Sequence, residues 1–161
     1  MTTVTAHEGV REQLGELTAN GSGEPLNRDQ LVAVIRELGP TFKTRAVDID
    51  RNAVFPFENF ADLREAGFLG LCVPTRYGGL GAQYSDYIRV SQEIGRYCGS
   101  TALTFNMHNA TMLWAGEVAD LLEMSPEERE THERRRAEMF RGVVQDGEIH
   151  SQPFSEGLSP G

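Results

Sequence analysis

Apolar residues recur at helical spacing through the middle of this chain, and the pattern becomes definite at Asn27. The first stripe steps by 4, 3, 4 and 7 residues and consists of Leu31, Ile35, Leu38, Phe42 and Ile49. Asn27 and Gln30 have the spacing of a helix cap and its reciprocal partner. Pro40 interrupts the stripe, and an internal proline removes a helical hydrogen bond. We therefore predict a helix from residue 27, with either a kink at Pro40 or two helices that meet there.

The stretch Phe60–Gly81 combines a helix end, a buried run and a glycine-rich loop. A second helix is predicted over Phe57–Ala66, and Gly67 stands where a helix C-cap glycine belongs, because only glycine enters the left-handed region at little cost. Phe68–Val73 is almost continuously apolar and has to be buried. The loop YGGLG, Tyr77–Gly81, follows it. We interpret the stretch as one supersecondary unit inside a larger core.

Three more helices are predicted after the glycine loop. The third is capped by Ser85, carries Asp86 in its first turn, ends at Gly99 and has the buried stripe Tyr87, Val90, Ile94 and Tyr97. The fourth, Ala102–Ala115, is apolar on more than one side, which is typical of a central helix.

The fifth predicted helix, Pro126–Gly142, starts with a capping serine, a proline at its first position and a glutamate at its third. Its many charges indicate a solvated surface helix that docks only through Met139 and Phe140. Gly147–Phe154 then loses the helical period, which predicts a strand.

Composition and charge argue against several classes of protein. The length of 161 residues fits one domain with a sizeable core, and the net charge of -9 argues against nucleic acid and against anionic membrane surfaces. No apolar run approaches the roughly 20 residues of a membrane span, and no secretory signal is visible at the start. Cys72 and Cys98 are expected to be buried, reduced thiols of a cytoplasmic protein. No His/Cys cluster has metal-ligand spacing, so no metal is expected.

Residues 64–82, REAGFLGLCVPTRYGGLGA, resemble the LGLLGLxVPxxYGGLG signature near the N-terminus of acyl-CoA dehydrogenases. Asp50-Arg51, Phe55-Pro56 and Gly147-Glu148 also match elements of that family, and the resemblance covers roughly residues 27–157. It implies an all-α N-terminal helical bundle followed by the start of a β-domain. The implied division is a mobile tail over 1–26, a helical domain over 27–146, and the truncated beginning of the middle β-domain over 147–161.

The resemblance also implies a chemistry. In the family a carboxylate removes the α-proton of an acyl-CoA thioester while FAD accepts the β-hydride. On the fourth helix, Leu103, Met107 and Thr111 are then expected to line the acyl slot. Gln152, Phe154 and Ser155 are expected to contact the flavin, although the chain departs from the family's TEPGAGSD after Ser155.

No catalytic residue is assigned within this chain. The family's catalytic glutamate lies in a C-terminal domain, and FAD is also held by the middle domain and by a second subunit. The chain is therefore expected to be inactive alone, to need those domains or a partner chain, and to form a homo-oligomer when complete. His108-Asn109 matches an HN common in the family, but a lone histidine on an internal helix is more often a hydrogen-bonded core residue than a catalyst.

Two other interpretations stay open at this point. Flavin monooxygenases and oxidases share the architecture and differ in the reaction. A non-catalytic helical subunit completed by a partner chain would also fit the sequence. A reading frame that continues into a β-domain and a second helical domain would favour the two enzyme interpretations.

Overall fold

The structure is a computed structural model that describes residues 27–151, and over that range the chain forms five α-helices. They are α1 (Arg28–Asn52), α2 (Phe57–Glu65), α3 (Tyr84–Gly95), α4 (Gly99–Leu113) and α5 (Pro126–Arg141). Two 3₁₀ turns, Phe68–Gly70 and Thr75–Tyr77, lie between α2 and α3. Two π-helical segments, Trp114–Val118 and Gly142–Asp146, extend α4 and α5.

The all-α fold class is confirmed over the described range, whereas the beginning of a β-domain is not. Residues 147–151 form no strand, and the rest of the predicted strand lies outside the described residues, as does the predicted tail over 1–26. The division into domains stays a prediction. None of the helices within residues 27–151 combines the length and the apolar character that a membrane crossing requires.

Helix α1 forms as the capping pattern predicts, but it is not split at Pro40. Asn27 and Gln30 exchange hydrogen bonds between side chain and backbone, with Asn27 N–H donating to Gln30 Oε1 at 2.9 Å. The helix then runs continuously through Pro40 to Asn52, so the interpretation as two meeting helices is wrong. All five residues of the predicted stripe are buried, and α1 packs mainly against α3. Burial of one long stripe evidently outweighs the local cost of the proline.

The stretch after α2 folds as predicted. Gly67 adopts a left-handed conformation with φ 72°, and every residue from Phe68 to Val73 is buried. The glycine-rich loop closes over this run: Leu80 N–H donates to Gly70 O at 3.0 Å. Phe68–Val73, called the buried crossing below, therefore enters the core with its backbone paired to the loop that follows it.

The starts of α3 and α4 differ from the predicted ones. Gln83, not Ser85, is the N-cap of α3, and Asp86 accepts the Gln83 N–H at 3.3 Å. The hydroxyl of Ser85 instead accepts a hydrogen bond from Arg28 of α1 at 2.8 Å. Helix α4 begins at Gly99 rather than at Ala102, and it is buried on one side only. Ser85 thus hydrogen-bonds to a residue of another helix instead of capping its own.

Helix α5 is anchored by more than apolar residues. Its predicted capping box is present, because Ser125 N–H donates to Glu128 Oε2 at 2.8 Å and Glu128 N–H donates back to Ser125 Oγ. Phe140 is buried and Met139 packs on the core edge, as expected. The prediction that only these two residues dock is wrong, since the guanidinium of Arg136 is buried as well.

Both cysteines are buried and unpaired, as predicted. Burial is the main cause that raises the pKa of the Cys72 thiol far above its ordinary value, with smaller contributions from Glu117 and Asp86. Cys72 therefore behaves as a packing residue rather than as a nucleophile.

We predict that Gly79→Ala destabilises the fold while Gly99→Ala does not. A Cβ at Gly79 would collide with the carbonyl oxygen of Val73 and lie 2.7 Å from that of Gly70, whereas one at Gly99 would meet nothing within 4 Å. The first variant should lose about 1–3 kcal/mol of unfolding free energy, the typical cost of overpacking. Urea denaturation of both variants measures this, and equal stability would show that the loop does not press on the buried crossing.

Candidate functional site

The predicted acyl-slot residues lie together on the open side of α4. Leu103 is 67% exposed and Met107 is 39% exposed, while Thr111 is half-buried. They follow one another at intervals of four residues, so they share one helical face. Thr111 donates its hydroxyl hydrogen to Met107 O at 3.0 Å, which leaves the face largely apolar. We call Leu103, Met107 and Thr111 the open face of α4; that it lines a substrate slot stays a prediction.

The predicted flavin contacts Gln152, Phe154 and Ser155 lie outside the described residues, and the described chain leads up to them through residues 147–151. Glu148 N–H donates to Gly142 O at 3.1 Å, which ties this segment to the end of α5. Gly147 adopts φ 74° and lies against the guanidinium of Arg64. These contacts hold residues 147–151 against the helical bundle. We call residues 147–151 the exit segment below.

An apolar groove of about 470 Å³ borders the exit segment. It is lined by Phe55, Phe57, Phe60, Ala61, Arg64, Leu69, Gly147 and Ile149. The ring of Phe55 packs at a tilt against the other two phenylalanine rings, with centroids 4.8 Å from Phe57 and 5.0 Å from Phe60. The groove places Ile149 of the exit segment beside the start of α2.

One side chain of the exit segment bears on cofactor fit. His150 Nε2 is buried and lies 3.3 Å from Glu148 Oε2, but the two are not aligned for a hydrogen bond. A buried polar atom without a hydrogen bond can accept or donate to one more polar group. It stands two residues before Gln152, so the described chain offers one polar position that fits a cofactor at the predicted flavin contact.

His108 is a hydrogen-bonded core residue, as predicted. It is fully buried; Nε2 lies 2.8 Å from Leu69 O, and Nδ1 accepts the His150 N–H at 3.0 Å. A carbonyl can only accept and a backbone N–H can only donate, so the imidazole is neutral and carries its proton on Nε2. Burial is the main cause that lowers the pKa of His108; the Leu69 hydrogen bond opposes it and the charge of His150 adds to it. The arrangement matches a structural histidine rather than an activated base.

Arg136 organises a cluster that sequence reasoning missed. Its guanidinium is only 3% exposed and donates to Asp120 Oδ1 at 2.6 Å and to the Glu133 carboxylate. Tyr77 of the glycine loop donates its hydroxyl hydrogen to Glu133 Oε2 at 2.8 Å, and Arg76 stacks over the Tyr77 ring at 4.9 Å. The cluster fastens the start of the glycine loop to α5.

The electrostatics of this cluster follow from the same contacts. Burial raises the pKa of Asp120, but its hydrogen bond and ion pair with Arg136 outweigh that effect and lower the pKa below the ordinary value. Burial likewise lowers the pKa of Arg136, and hydrogen bonds to Glu133 and Asp120 outweigh it and raise the pKa further. The signal was present in the sequence: Arg136 follows Glu133 by three residues and precedes the buried Phe140 by four, so it lies on the docking face of α5.

Over residues 27–151, no group of three or more His, Cys, Asp or Glu side chains is placed to hold a metal ion.

We predict that Arg136→Gln destabilises the protein by about 1–3 kcal/mol, because it removes the buried guanidinium that pairs with Asp120 and Glu133 and donates to Ala115 O. Arg134→Gln makes the same change on the same helix at an exposed position and should cost less than about 0.5 kcal/mol. Thermal unfolding followed by circular dichroism compares the two. Equal losses would show that the cluster contributes nothing specific.

Comparison with known proteins identifies related sequences. The family model for "Acyl-CoA dehydrogenase, N-terminal domain" matches residues 28–117, which is more than half of the chain. The match includes the buried crossing, the glycine loop and the open face of α4.

Among curated relatives, cyclohex-1-ene-1-carbonyl-CoA dehydrogenase of Syntrophus aciditrophicus is 43% identical over 72 residues, covering 43% of this chain and 16% of that protein. The 3-sulfinopropanoyl-CoA desulfinase of Advenella mimigardefordensis is 38% identical over 66 residues, 40% of this chain and 16% of that protein. Dibenzothiophene monooxygenase of Rhodococcus erythropolis is 39% identical over 84 residues, 51% of this chain and 20% of that protein.

The matched segments thus span at most about a fifth of these relatives. The family signature, the all-α bundle built around it and the match over residues 28–117 agree with one another. This chain therefore belongs to the acyl-CoA dehydrogenase family and carries its N-terminal domain.

Proposed function

We propose that the chain supplies the N-terminal helical domain of an FAD-dependent acyl-CoA dehydrogenase-like oxidoreductase that desaturates the α,β bond of an acyl-CoA thioester. The observation that carries the proposal is the family match over residues 28–117 together with the open face of α4 inside that range. We further propose that the complete enzyme is a cytoplasmic homo-oligomer.

The open face of α4 supports the role of an acyl-slot wall. Its opposite side is fixed by fully buried residues, including Phe105 and Met112, so the helix cannot easily rotate. Leu103 and Met107 then remain available to contact an apolar group from outside the described residues. A thioester with a hydrocarbon tail is a ligand of that chemistry, and apolar walls with few polar groups are typical of small-molecule sites.

We propose that the base and most of the flavin site lie in other parts of the complete enzyme. The family resemblance implies a glutamate in a C-terminal domain and flavin contacts from a middle domain and a second subunit. FAD supplies the hydride acceptor when it is bound, and the chain's own contribution is to shape the slot and to lead residues 147–151 toward Gln152, Phe154 and Ser155.

A flavin monooxygenase is the second candidate function. The specific observation in its favour is the 39% identity to dibenzothiophene monooxygenase over 84 residues, a longer match than that to the cyclohexenecarbonyl-CoA dehydrogenase. The two candidates share the apolar face and differ in what reacts with the reduced flavin.

The test of the proposed function uses the chain of 161 residues. Purified protein is mixed with excess FAD and passed through a desalting column, and flavin absorbance is read before and after an acyl-CoA is added. We expect no retained flavin and no bleaching by the chain alone. Flavin binding and bleaching by acyl-CoA should appear after mixing with a polypeptide that carries the other domains. Stoichiometric flavin retained by the chain alone would overturn the proposal that most of the flavin site lies in other parts of the enzyme. Flavin that binds in the mixture but is reduced only by an external donor, and then consumes oxygen, would favour the monooxygenase.

The slot hypothesis predicts that two methionines of α4 respond differently to enlargement. Met107→Trp adds bulk on the open face and should change the unfolding free energy by less than about 0.5 kcal/mol, whereas Met112→Trp enlarges a fully buried side chain and should cost about 1–3 kcal/mol. In the reconstituted enzyme, Met107→Trp should also shift preference toward shorter acyl chains. A large loss of stability in Met107→Trp with unchanged chain-length preference would identify Met107 as a core residue.

A further inference from the structure

The two hydrogen bonds of His108 connect three separate parts of the fold. Through Nε2 the imidazole holds Leu69 of the buried crossing at 2.8 Å, and through Nδ1 it holds the backbone of His150 in the exit segment at 3.0 Å. His108 itself stands on the buried side of α4. Glu148 is tied separately to Gly142 O, so it is the His150 end of the exit segment that depends on an acceptor at one ring nitrogen of His108.

Protonation would remove that acceptor. In the imidazolium both ring nitrogens carry hydrogen, so Nδ1–H would point at the N–H of His150 and two donors would face each other. The contact of Nε2–H with Leu69 O survives, since it needs a donor in either form. The change is thus confined to the side of the ring that holds the exit segment.

Charged and titratable groups near the ring come from two directions. The ring of His150 lies 6.3 Å from that of His108, centroid to centroid, and Glu148 lies 3.3 Å from His150 Nε2. On the side of α2, Arg64 lies against Gly147 and donates to Gln145 O at 3.5 Å. The buried crossing presents the carbonyl of Leu69 to the ring. No carboxylate among the described residues hydrogen-bonds to His108, so the contact that favours a positive charge on its ring is the hydrogen bond to the carbonyl of Leu69.

We propose that His108 is a positioning residue that fastens the His150 end of the exit segment to the bundle in its neutral form and releases that end when protonated. One further part of this proposal rests on the proposed function. By holding His150, the contact also fixes the point from which the chain continues to Gln152, Phe154 and Ser155.

The pH window follows from the environment of the ring. The pKa of His108 is lowered in the folded protein, mainly by burial, so the fastened state binds fewer protons than a released one. Above the ordinary histidine pKa of about 6.5 the fastening is therefore complete. As the pH falls below that value, the released state gains population, about tenfold for each pH unit until the lowered pKa is reached.

The experiment is nuclear magnetic resonance on the labelled chain of 161 residues between about pH 8 and pH 5. At the upper end, the ¹⁵N shifts of His108 should report an unprotonated Nδ1 and a protonated Nε2. On acidification, the amide of His150 should lose protection from hydrogen exchange about tenfold per pH unit. Amides of buried residues in α1 and α3, such as Ile35 and Val90, should keep theirs.

Variants separate this mechanism from general acid destabilisation. His108→Asn places an amide oxygen near the position of Nδ1 and cannot titrate, so the protection of His150 should become independent of pH. His108→Gln places its donor toward Leu69 and should leave His150 unprotected at every pH. His132→Asn is the matched control. His132 is on α5, away from the exit segment, and its Nε2 lies 3.2 Å from Ala115 O. This substitution should leave the pH transition of the His150 amide unchanged. Glu148→Gln should also preserve it.

Several outcomes would overturn the proposal. They are a His150 amide whose protection does not change with pH, a loss of protection that coincides with that of Ile35 and Val90, and a transition that Glu148→Gln abolishes. If a substituted protein fails to fold, the tautomer of His108 and the protection of His150 in the unsubstituted chain still decide the question. None of these measurements involves flavin, so a failure of the proposed function would leave their result intact.

Discussion

The fold depends on finding hydrogen-bond partners for a piece of backbone that runs through the core without forming a regular helix. Buried carbonyls cannot be left unpaired without a cost of about 1–3 kcal/mol each. The loop after the crossing satisfies three of them: Leu80 N–H bonds Gly70 O, Gly81 N–H bonds Val73 O, and Ala82 N–H bonds Leu71 O at 2.8 Å. A side chain from a distant helix, His108, takes the carbonyl of Leu69.

This pairing explains why the glycine-rich signature and α4 belong together physically. Gly79 must pass so close to the crossing that no Cβ fits, and the side of α4 that carries His108 must face the same backbone. Once that side is fixed, the geometry of a helix turns Leu103 and Met107 outward. The outward orientation of the open face of α4 therefore follows from the hydrogen bonding of the buried crossing. Its apolar character comes from the side chains of Leu103 and Met107.

Local rules predicted the features that depend on neighbours in the chain. The capping boxes at Asn27 and Ser125 and the left-handed Gly67 need only residues within a few positions. The failures involve distant partners: Ser85 is taken by Arg28, and Arg136 is buried by Asp120 and Tyr77. The continuity of α1 through Pro40 likewise reflects packing over its whole length rather than local preference.

The candidate site was predictable to the extent that it consists of helix faces. Leu103, Met107 and Thr111 follow from periodicity and the family resemblance, and the structure brings them onto one side of α4. The link from His108 to His150 spans 42 positions, so no periodicity within one element could have indicated it. A domain built in this way offers an apolar wall and a held backbone segment but few reacting groups. The relatives that this domain resembles are named for a dehydrogenation, a desulfination and a monooxygenation, which shows that one fold can accompany different reactions.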